Sequence, residues 1–190
     1  MPNWCNNHVI LSHKNKEMID RAVKAAVEGK FLGEFIPCPA ELLDTTAGYG
    51  DESNQNKRES NLEKYGFADW YDWCVNNWGT KWDVGAENGI ERISDTSLEF
   101  SFDSAWSPPT TAFEKLCGMG FEITAYYNET GMAFCGKFEG EGENTFDDYF
   151  EYGSETSETV RDLIGEELDD FYCISENMAE WESENEEESE

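Results

Sequence analysis

LEFSFD, residues 98–103, is the stretch of sequence that decides the fold, because apolar and polar side chains alternate along it without interruption. A period of two places Leu98, Phe100 and Phe102 on one face of a β-strand, which predicts a strand with one buried face. Residues 80–84 carry a shorter strand pattern upstream, and we expect them to pair with residues 98–103 across a polar connection. The sequence therefore predicts an antiparallel sheet that covers a core.

The segments on either side of this pair extend the same architecture. The predicted elements in chain order are a strand at 8–11, helices at 16–28 and 66–78, strands at 80–84 and 98–103, a helix that starts at Ser107-Pro108-Pro109, and strands at 121–127 and 132–138. This order predicts an α+β fold, a ferredoxin-like split βαβ sandwich in which helices cover one face of an antiparallel sheet.

The domain organisation follows from where the apolar patterns stop. Residues 1–141 are expected to form the ferredoxin-like domain, with a polar and mobile insertion near residues 44–64. Residues 142–182 are expected to form an acidic aromatic linker and one long amphipathic helix, because apolar residues recur at spacings of three and four from Val160 to Trp181. Residues 183–190 are nearly all Glu and Ser, which predicts a disordered acidic tail.

The charge of the chain is strongly negative and unevenly placed. It has 42 acidic and 13 basic residues, a formal net charge of −29, which disfavours direct binding to nucleic acid or to an anionic membrane surface. The residues after Phe138 hold 21 of the acids and a single base, Arg161. The start of the sequence shows no leader pattern, and no apolar run approaches a membrane span, so we expect a protein of the cytoplasm of a bacterial host cell.

The sequence offers no signature of catalysis or metal binding. The six cysteines are scattered without a CxxC pair, which favours reduced core thiols over disulfides or zinc ligands. His8 and His13 are the only histidines, and neither has a nucleophile at a spacing suitable for a catalytic pair. We therefore expect no catalytic residue, no metal, no cofactor and a role that is not enzymatic.

A group of aromatic and charged residues is a candidate binding edge. If residues 80–84 and 98–103 pair, five side chains gather at one edge of the sheet: Trp78, Lys81, Trp82, Asp83 and Trp106. Tryptophans around a lysine can enclose a base, hold a small anion or accept a side chain of a partner. The alternative is that the tryptophans fill the core and that Lys81 pairs with Asp83 or another acid.

The acidic C-terminal segment is a second candidate surface. It holds ten acids in the 28 residues from 155 to 182, about one charge per 4 Å along a continuous helix, close to the roughly 3.4 Å between phosphates on one DNA strand. The candidate partner-binding face comprises Glu155, Glu158, Asp162, Glu166, Asp169, Asp170, Glu176 and Glu180. The alternative is an acidic helix that only keeps the protein in solution.

Three motifs carry a resemblance to a known family. They are Pro2-Asn3-Trp4-Cys5-Asn6-Asn7, Asn77-Trp78-Gly79-Thr80-Lys81-Trp82-Asp83 and Ala105-Trp106-Ser107-Pro108-Pro109. Together they resemble the YubB-type ferredoxin-like domain family of bacteriophage and plasmid proteins, over about residues 1–141. The resemblance implies the fold and a mobile-element setting, and it implies no activity and no catalytic residue. From the residues themselves, Asn3, Asn6 and Asn7 are expected to fix the chain before the first strand through bonds to the backbone.

The function expected from these observations is protein–protein binding. The leading hypothesis is an accessory protein that binds a host protein with a basic, nucleic-acid-binding surface, as a mimic of nucleic-acid charge that inhibits a defence or DNA-processing factor. The alternative is a protein or enzyme that binds a small ligand or nucleotide at the tryptophan and lysine edge, and a purely structural domain is a third reading.

Overall fold

The computed structural model describes residues 2–48, 51–86 and 89–187. The strands are β1 (Trp4–His13), β2 (Ile90–Ser94), β3 (Ser97–Ala105), β4 (Phe121–Glu129), β5 (Phe134–Glu141) and β6 (Asn144–Glu151). The helices of the first part of the chain are α1 (Lys16–Val27), α2 (Phe31–Phe35), α3 (Ala40–Leu43), α4 (Glu52–Tyr65), α5 (Trp70–Trp78) and α6 (Thr110–Gly118). The C-terminal helices are α7 (Val160–Ile164), α8 (Glu166–Tyr172) and α9 (Ile174–Glu187).

The sheet is antiparallel throughout, with the strand order β2-β3-β1-β4-β5-β6. The elements β1, α1, β2, β3, α6 and β4 form two interleaved βαβ units, with α2 to α5 inserted between α1 and β2. Their strands have the ferredoxin-like order β2-β3-β1-β4. The predicted α+β ferredoxin-like fold is therefore confirmed. The strands β5 and β6 extend the sheet beyond β4.

One face of the sheet, called here the front face, is covered by helices and forms the main core. Val9 and Leu11 of β1 and the predicted residues Leu98, Phe100 and Phe102 of β3 are all buried there. The helices α1, α2, α5 and α6 contribute buried apolar residues to the same cluster, whose buried members all precede residue 141. The front face thus has the single layer of helices that the sequence predicts.

The opposite, back face of the sheet is also covered, which corrects the prediction of helices on one face only. Cys135 on β5 and Tyr152 after β6 form a second buried cluster with Val160, Ile164 and Leu168. Aromatic side chains of the sheet extend it, because the Tyr126 ring stacks on Phe171 of α8 with centroids 4.6 Å apart. The apolar stripe of the C-terminal segment therefore packs on the protein's own sheet.

The predicted strand at residues 80–84 is wrong, and the partner of β3 is β2. The backbone of this segment is bound to the turn between α1 and α2, since Phe31 N–H donates to Val84 O at 3.0 Å. The Asp83 carboxylate accepts hydrogen bonds from the backbone N–H groups of Leu32 and Gly33, at 2.7 and 2.9 Å. The segment cannot act as a strand because its polar groups are already engaged with α2.

The polar segment near residues 44–64, expected to be a mobile insertion, contains the fourteen-residue helix α4. The Asp51 side chain caps its first turn by accepting from Asn54 N–H, and Gly66 ends it in the left-handed conformation at φ 78°. The helix has no apolar stripe, so hydrophobic periodicity could not predict it. Residues 49 and 50 lie outside the described part of the chain.

The C-terminal segment is neither a linker with one long helix nor wholly disordered. Residues 144–151 form β6, which pairs with β5 along its whole length. The predicted single helix is divided into α7, α8 and α9, because Gly165 is at φ 83° and ψ 161° and Cys173 has the left-handed φ of 52°. The predicted tail is helical as far as Glu187, and residues 188–190 lie outside the described residues. Within the described ranges, no helix is both long and apolar enough to cross a membrane.

Removal of residues 142–190 should leave a domain that still unfolds cooperatively. The front-face core is complete before residue 141, whereas the truncation exposes Tyr126 and Cys135 on the back face. We expect a lower midpoint in thermal unfolding followed by near-ultraviolet circular dichroism, with the native aromatic signal kept. A molten product without that signal would show that the C-terminal helices are needed for the core itself.

Substitution of Asp83 by Asn should destabilise the protein by about 1–3 kcal/mol, measured as the shift of the urea unfolding curve. An amide oxygen can replace only one of the two carboxylate oxygens that bind Leu32 and Gly33, and its NH₂ group faces a donor. Asp148→Asn at an exposed position of β6 is the matched control and should change the stability by less than about 0.5 kcal/mol. Equal effects of the two substitutions would contradict a structural role for Asp83.

Candidate functional site

The three sequence motifs meet at one end of the sheet. The N–H of Trp106, which has a left-handed φ of 74°, donates to Asn3 O at 3.0 Å. The Thr80 hydroxyl donates to Ala105 O at 3.0 Å. The first motif thus lies beside the third, and the second is bound to the third, although about a hundred residues separate the first and last in sequence.

The expected bonds from the asparagines of the first motif to the backbone are found for Asn7 alone, and Asn6 and Asn7 lie within β1 and not before it. Asn7 is fully buried, and its side-chain amide donates to Cys5 O at 2.7 Å and to Ser104 Oγ at 2.8 Å. The Asn6 amide donates to the Asp103 carboxylate at 3.1 Å across the β1–β3 pair. These bonds fix the register of β1 at the end where the motifs meet.

A cleft of about 440 Å³ lies beside this junction and contains most of the predicted binding edge. Its lining residues are Lys30, Gly33, Glu34, Pro37, Cys38, Leu43, Trp70, Cys74, Trp78, Lys81, Trp82 and Asp83. Four of the five predicted edge residues line it, and Trp106 does not. The structure therefore brings together Trp78, Lys81, Trp82 and Asp83 and leaves Trp106 outside the cleft, half exposed near Asn3.

Lys81 and Trp82 form the open side of the cleft. The Lys81 ammonium group is 4.3 Å from the centroid of the Trp82 ring and 5.7 Å from that of Tyr71, within the range of cation–π contacts. The Trp82 ring is partly exposed and packs against Trp4 of β1 with centroids 5.9 Å apart. The ion pair between Lys81 and Asp83, considered as the alternative from the sequence, is not formed.

Trp78 and Asp83 form the inner wall. Trp78 is 5% exposed, and its indole N–H donates to Ile36 O at 2.9 Å, so most of this side chain belongs to the core. Burial raises the pKa of Asp83, although its carboxylate accepts backbone hydrogen bonds that favour the ionised form. A Cβ atom on Gly33 would lie 2.6 Å from Asp83 Oδ2, so only glycine allows this close approach.

Sequence reasoning missed several residues of the cleft. Lys30 follows Gly29 in the turn between α1 and α2, and no pattern relates it to Lys81 fifty-one residues later. Trp70 begins α5 and lines the cleft, but no pattern in the sequence links it to the edge residues. The proline-rich turn at residues 37–39 supplies a further wall, which only the tertiary structure reveals.

Two cysteine thiols line the floor of the cleft. All six cysteines of the chain are free thiols, and four of them are buried in the core, whereas Cys38 is partly buried and Cys173 is exposed, which corrects the prediction of core thiols for these two. Burial, together with the neighbouring Cys38, raises the pKa of the Cys74 thiol to about 12. A thiol with this pKa is protonated at neutral pH and is a poor nucleophile, so the pair offers no activated group for catalysis. Among the described residues, no group of three or more side chains could hold a metal ion.

The second candidate surface is formed by the C-terminal helices. Of the eight predicted acids, Glu158, Asp162, Glu176 and Glu180 are exposed and have no ion pair within the described part of the chain. The helices α7 and α9 lie side by side, and the Glu182 carboxylate accepts bonds from Ser157 between them. Asp162 is therefore on α7, Glu176 and Glu180 are on α9, and Glu158 lies in the turn just before α7.

The other predicted acids of this surface have different surroundings. Arg161 binds the carboxylates of Glu166, Asp169 and Asp170 at 3.1, 2.7 and 2.6 Å, so it neutralises part of the face. Asp169 is 2% exposed and does not belong to the outer surface, which corrects the sequence prediction. Burial alone would raise its pKa, but bonds from Ser175 and Arg161 lower it. Glu155 is half-buried.

An acidic concavity lies at the end of the back face that the C-terminal helices do not cover. It measures about 750 Å³, and its acidic lining residues are Glu122, Glu139, Glu141 and Glu143. Phe146 of β6 lies in the same concavity and is 61% exposed. The bare part of the sheet thus carries a cluster of acids of its own, formed by β4, β5 and the turn after β5.

The comparison with protein families agrees with the fold. Residues 77–189 match the family described as the ferredoxin-like domain in Api92-like protein, and this match includes the acidic segment that the YubB-type resemblance does not reach. The crystal structure of a protein api92 from Yersinia pseudotuberculosis is similar at 13% sequence identity and a TM-score of 0.46, over 82% of this chain and 99% of that chain. No curated protein matches the sequence. Because the family match covers more than half of the 190 residues, the chain belongs to the family of Api92-like proteins that carry this ferredoxin-like domain.

Proposed function

We propose that this protein acts by binding a protein with a basic surface through the exposed acids of α7 and α9. The observation that carries the proposal is the way in which the C-terminal segment is packed. Val160, Ile164 and Leu168 are buried against the sheet, whereas Glu158 and Asp162 on the same part of the chain are exposed. Docking of the apolar stripe uses only one side of the segment and leaves Glu158 and Asp162 in solvent.

The charge on this surface lacks local compensation. The residues after Phe138 hold one base, Arg161, and its guanidinium already binds three carboxylates. No ion pair is formed by these exposed acids within the described part of the chain: Glu158, Asp162, Glu176 and Glu180. Exposed charges act on a partner over about the Debye length, roughly 10 Å at 0.1 M salt. A basic protein is thus attracted and oriented before contact, which raises its rate of association.

The partner class that fits such a surface is a nucleic-acid-binding protein. These proteins carry clustered lysine and arginine side chains to neutralise phosphates, and a dense acidic surface can occupy the same cluster. Because the segment is divided into three helices, its charges are not evenly spaced along one straight helix, as the comparison with DNA phosphates assumed. The proposal is therefore supported by the density of acids without an ion pair in the described residues, and not by their spacing. As part of this proposal, the protein is a phage or plasmid accessory factor that inhibits a host defence or DNA-processing factor, in line with the YubB-type resemblance.

The test compares two variants that lose the same charge at different places. Glu158, Asp162, Glu176 and Glu180 are changed together to Gln or Asn, which neutralises the proposed surface. The matched control changes four exposed acids on α1 and α4 to Gln, namely Glu17, Glu52, Glu59 and Glu63. Each variant is immobilised and used to capture DNA-binding proteins from a bacterial lysate.

We expect the first variant to lose most of the capture and the control to retain it. Capture by the unmodified protein should fall steeply between about 50 and 200 mM salt, and duplex DNA should displace the bound proteins. Equal capture by the two variants would show that only the net charge matters. Captured proteins that duplex DNA does not displace would contradict nucleic-acid mimicry.

A further inference from the structure

We propose that the cleft between α2, α5 and the segment 80–84 binds a small ligand with a planar aromatic ring and an anionic group, a carboxylate or a phosphate. This site is separate from the acidic surface of α7 and α9, and the proposal does not depend on the function proposed for that surface. Three features of the cleft carry it: the lysines, the state of its acids and its aromatic walls.

The first feature is the concentration of unpaired lysines. Among the described residues, three of the chain's 13 basic side chains make neither an ion pair nor a hydrogen bond: Lys14, Lys30 and Lys81. Two of these three, Lys30 and Lys81, line the same cleft. In a chain with a net charge of −29, acids are abundant, and yet neither ammonium group forms an ion pair among the described residues, although the charge of Lys30 lowers the pKa of Asp83 against the effect of burial.

The second feature is that the acids of the cleft are already engaged. Glu34 pairs with Arg21 at 2.9 Å on the outer side of α2. Asp83 accepts backbone hydrogen bonds from Leu32 and Gly33, which hold its carboxylate in place. The lysines are therefore the only charged groups of the described lining that lack a polar partner, and the cleft is complementary to an anion.

The third feature is the set of aromatic walls. Trp70, Trp78 and Trp82 line the cleft together with Leu43 and Pro37. Indole rings pack on flat ring systems and provide large apolar contact areas. Leu43 is 58% exposed and Trp82 is 39% exposed, so apolar surface that a ligand would cover faces solvent. The volume of about 440 Å³ lies in the range of sites for small organic molecules.

The experiment titrates the full-length protein with two probes that separate the anionic groups. Adenosine 5′-monophosphate carries a phosphate, and indole-3-acetate carries a carboxylate. Adenosine without phosphate and inorganic phosphate alone are the reference compounds. Binding is followed through the indole N–H resonances of Trp70 and Trp82 in nuclear magnetic resonance spectra, each assigned from its Trp→Phe variant.

Three lysine variants provide the decisive comparison. Lys30→Met and Lys81→Met each remove a charge from the cleft and keep a side chain of similar length, whereas Lys14→Met removes the third unpaired lysine at an exposed position outside it. Loss of one charged contact should weaken the affinity about tenfold in each cleft variant. Lys14→Met should leave the affinity unchanged, and all three should keep the thermal unfolding midpoint of the unmodified protein.

The outcomes decide the proposal in either direction. The proposal is supported if one or both anions shift the two indole signals saturably and if only Lys30→Met and Lys81→Met weaken this binding. The anion that binds more tightly then identifies the anionic group. The proposal is overturned if neither anion saturates the signals by about 5 mM, in the weak range of small-ligand affinities. It is also overturned if adenosine binds as tightly as its monophosphate and indole-3-acetate does not bind, or if Lys14→Met has the same effect as the cleft variants.

Discussion

The pairing of β1 with both β3 and β4 is the constraint on which the rest of the structure depends. It joins the two βαβ units. Side chains alternate along β1, so that Val9 and Leu11 lie in the front core while His8 and Ile10 are on the back face. A slip of one residue would exchange the two faces, so the register is fixed by burial. The bonds of Asn7 to Cys5 and Ser104 hold the same register at the strand's start.

The sequence predicts well those elements in which the spacing of apolar residues matches the buried face. The alternation in β3 and the helical stripe of α1 each have one buried face, and periodicity detects that face directly. Periodicity fails where contacts with distant segments determine the local structure. Residues 80–84 have strand-like composition, but Asp83 binds α2, and α4 is a stable helix without an apolar face. The apolar spacing of the C-terminal segment continues across Gly165, where the chain turns and the helix ends.

The candidate sites were predictable to different degrees for the same reason. Four of the edge residues are close together in sequence, so they were predicted to lie together even though the strand assigned to them is wrong: Trp78, Lys81, Trp82 and Asp83. Lys30 joins them only because the turn after α1 returns to this segment, a contact that local pattern does not encode. Composition predicts an acidic surface after residue 155. It does not show which carboxylates Arg161 neutralises or that Asp169 is buried.

The position of β6 has a consequence for how copies of this protein behave together. In the described part of the chain β6 is an edge strand, so one row of its backbone N–H and C=O groups is open to pairing with another chain. Asp147, Asp148 and Glu151 lie on this strand, and Phe146 beside them is largely exposed. Like charges on two approaching edges repel, which opposes the stacking of sheets into aggregates while the carboxylates are ionised. Burial raises the pKa of Asp147, so acidification that protonates this carboxyl group weakens the repulsion between two such edges.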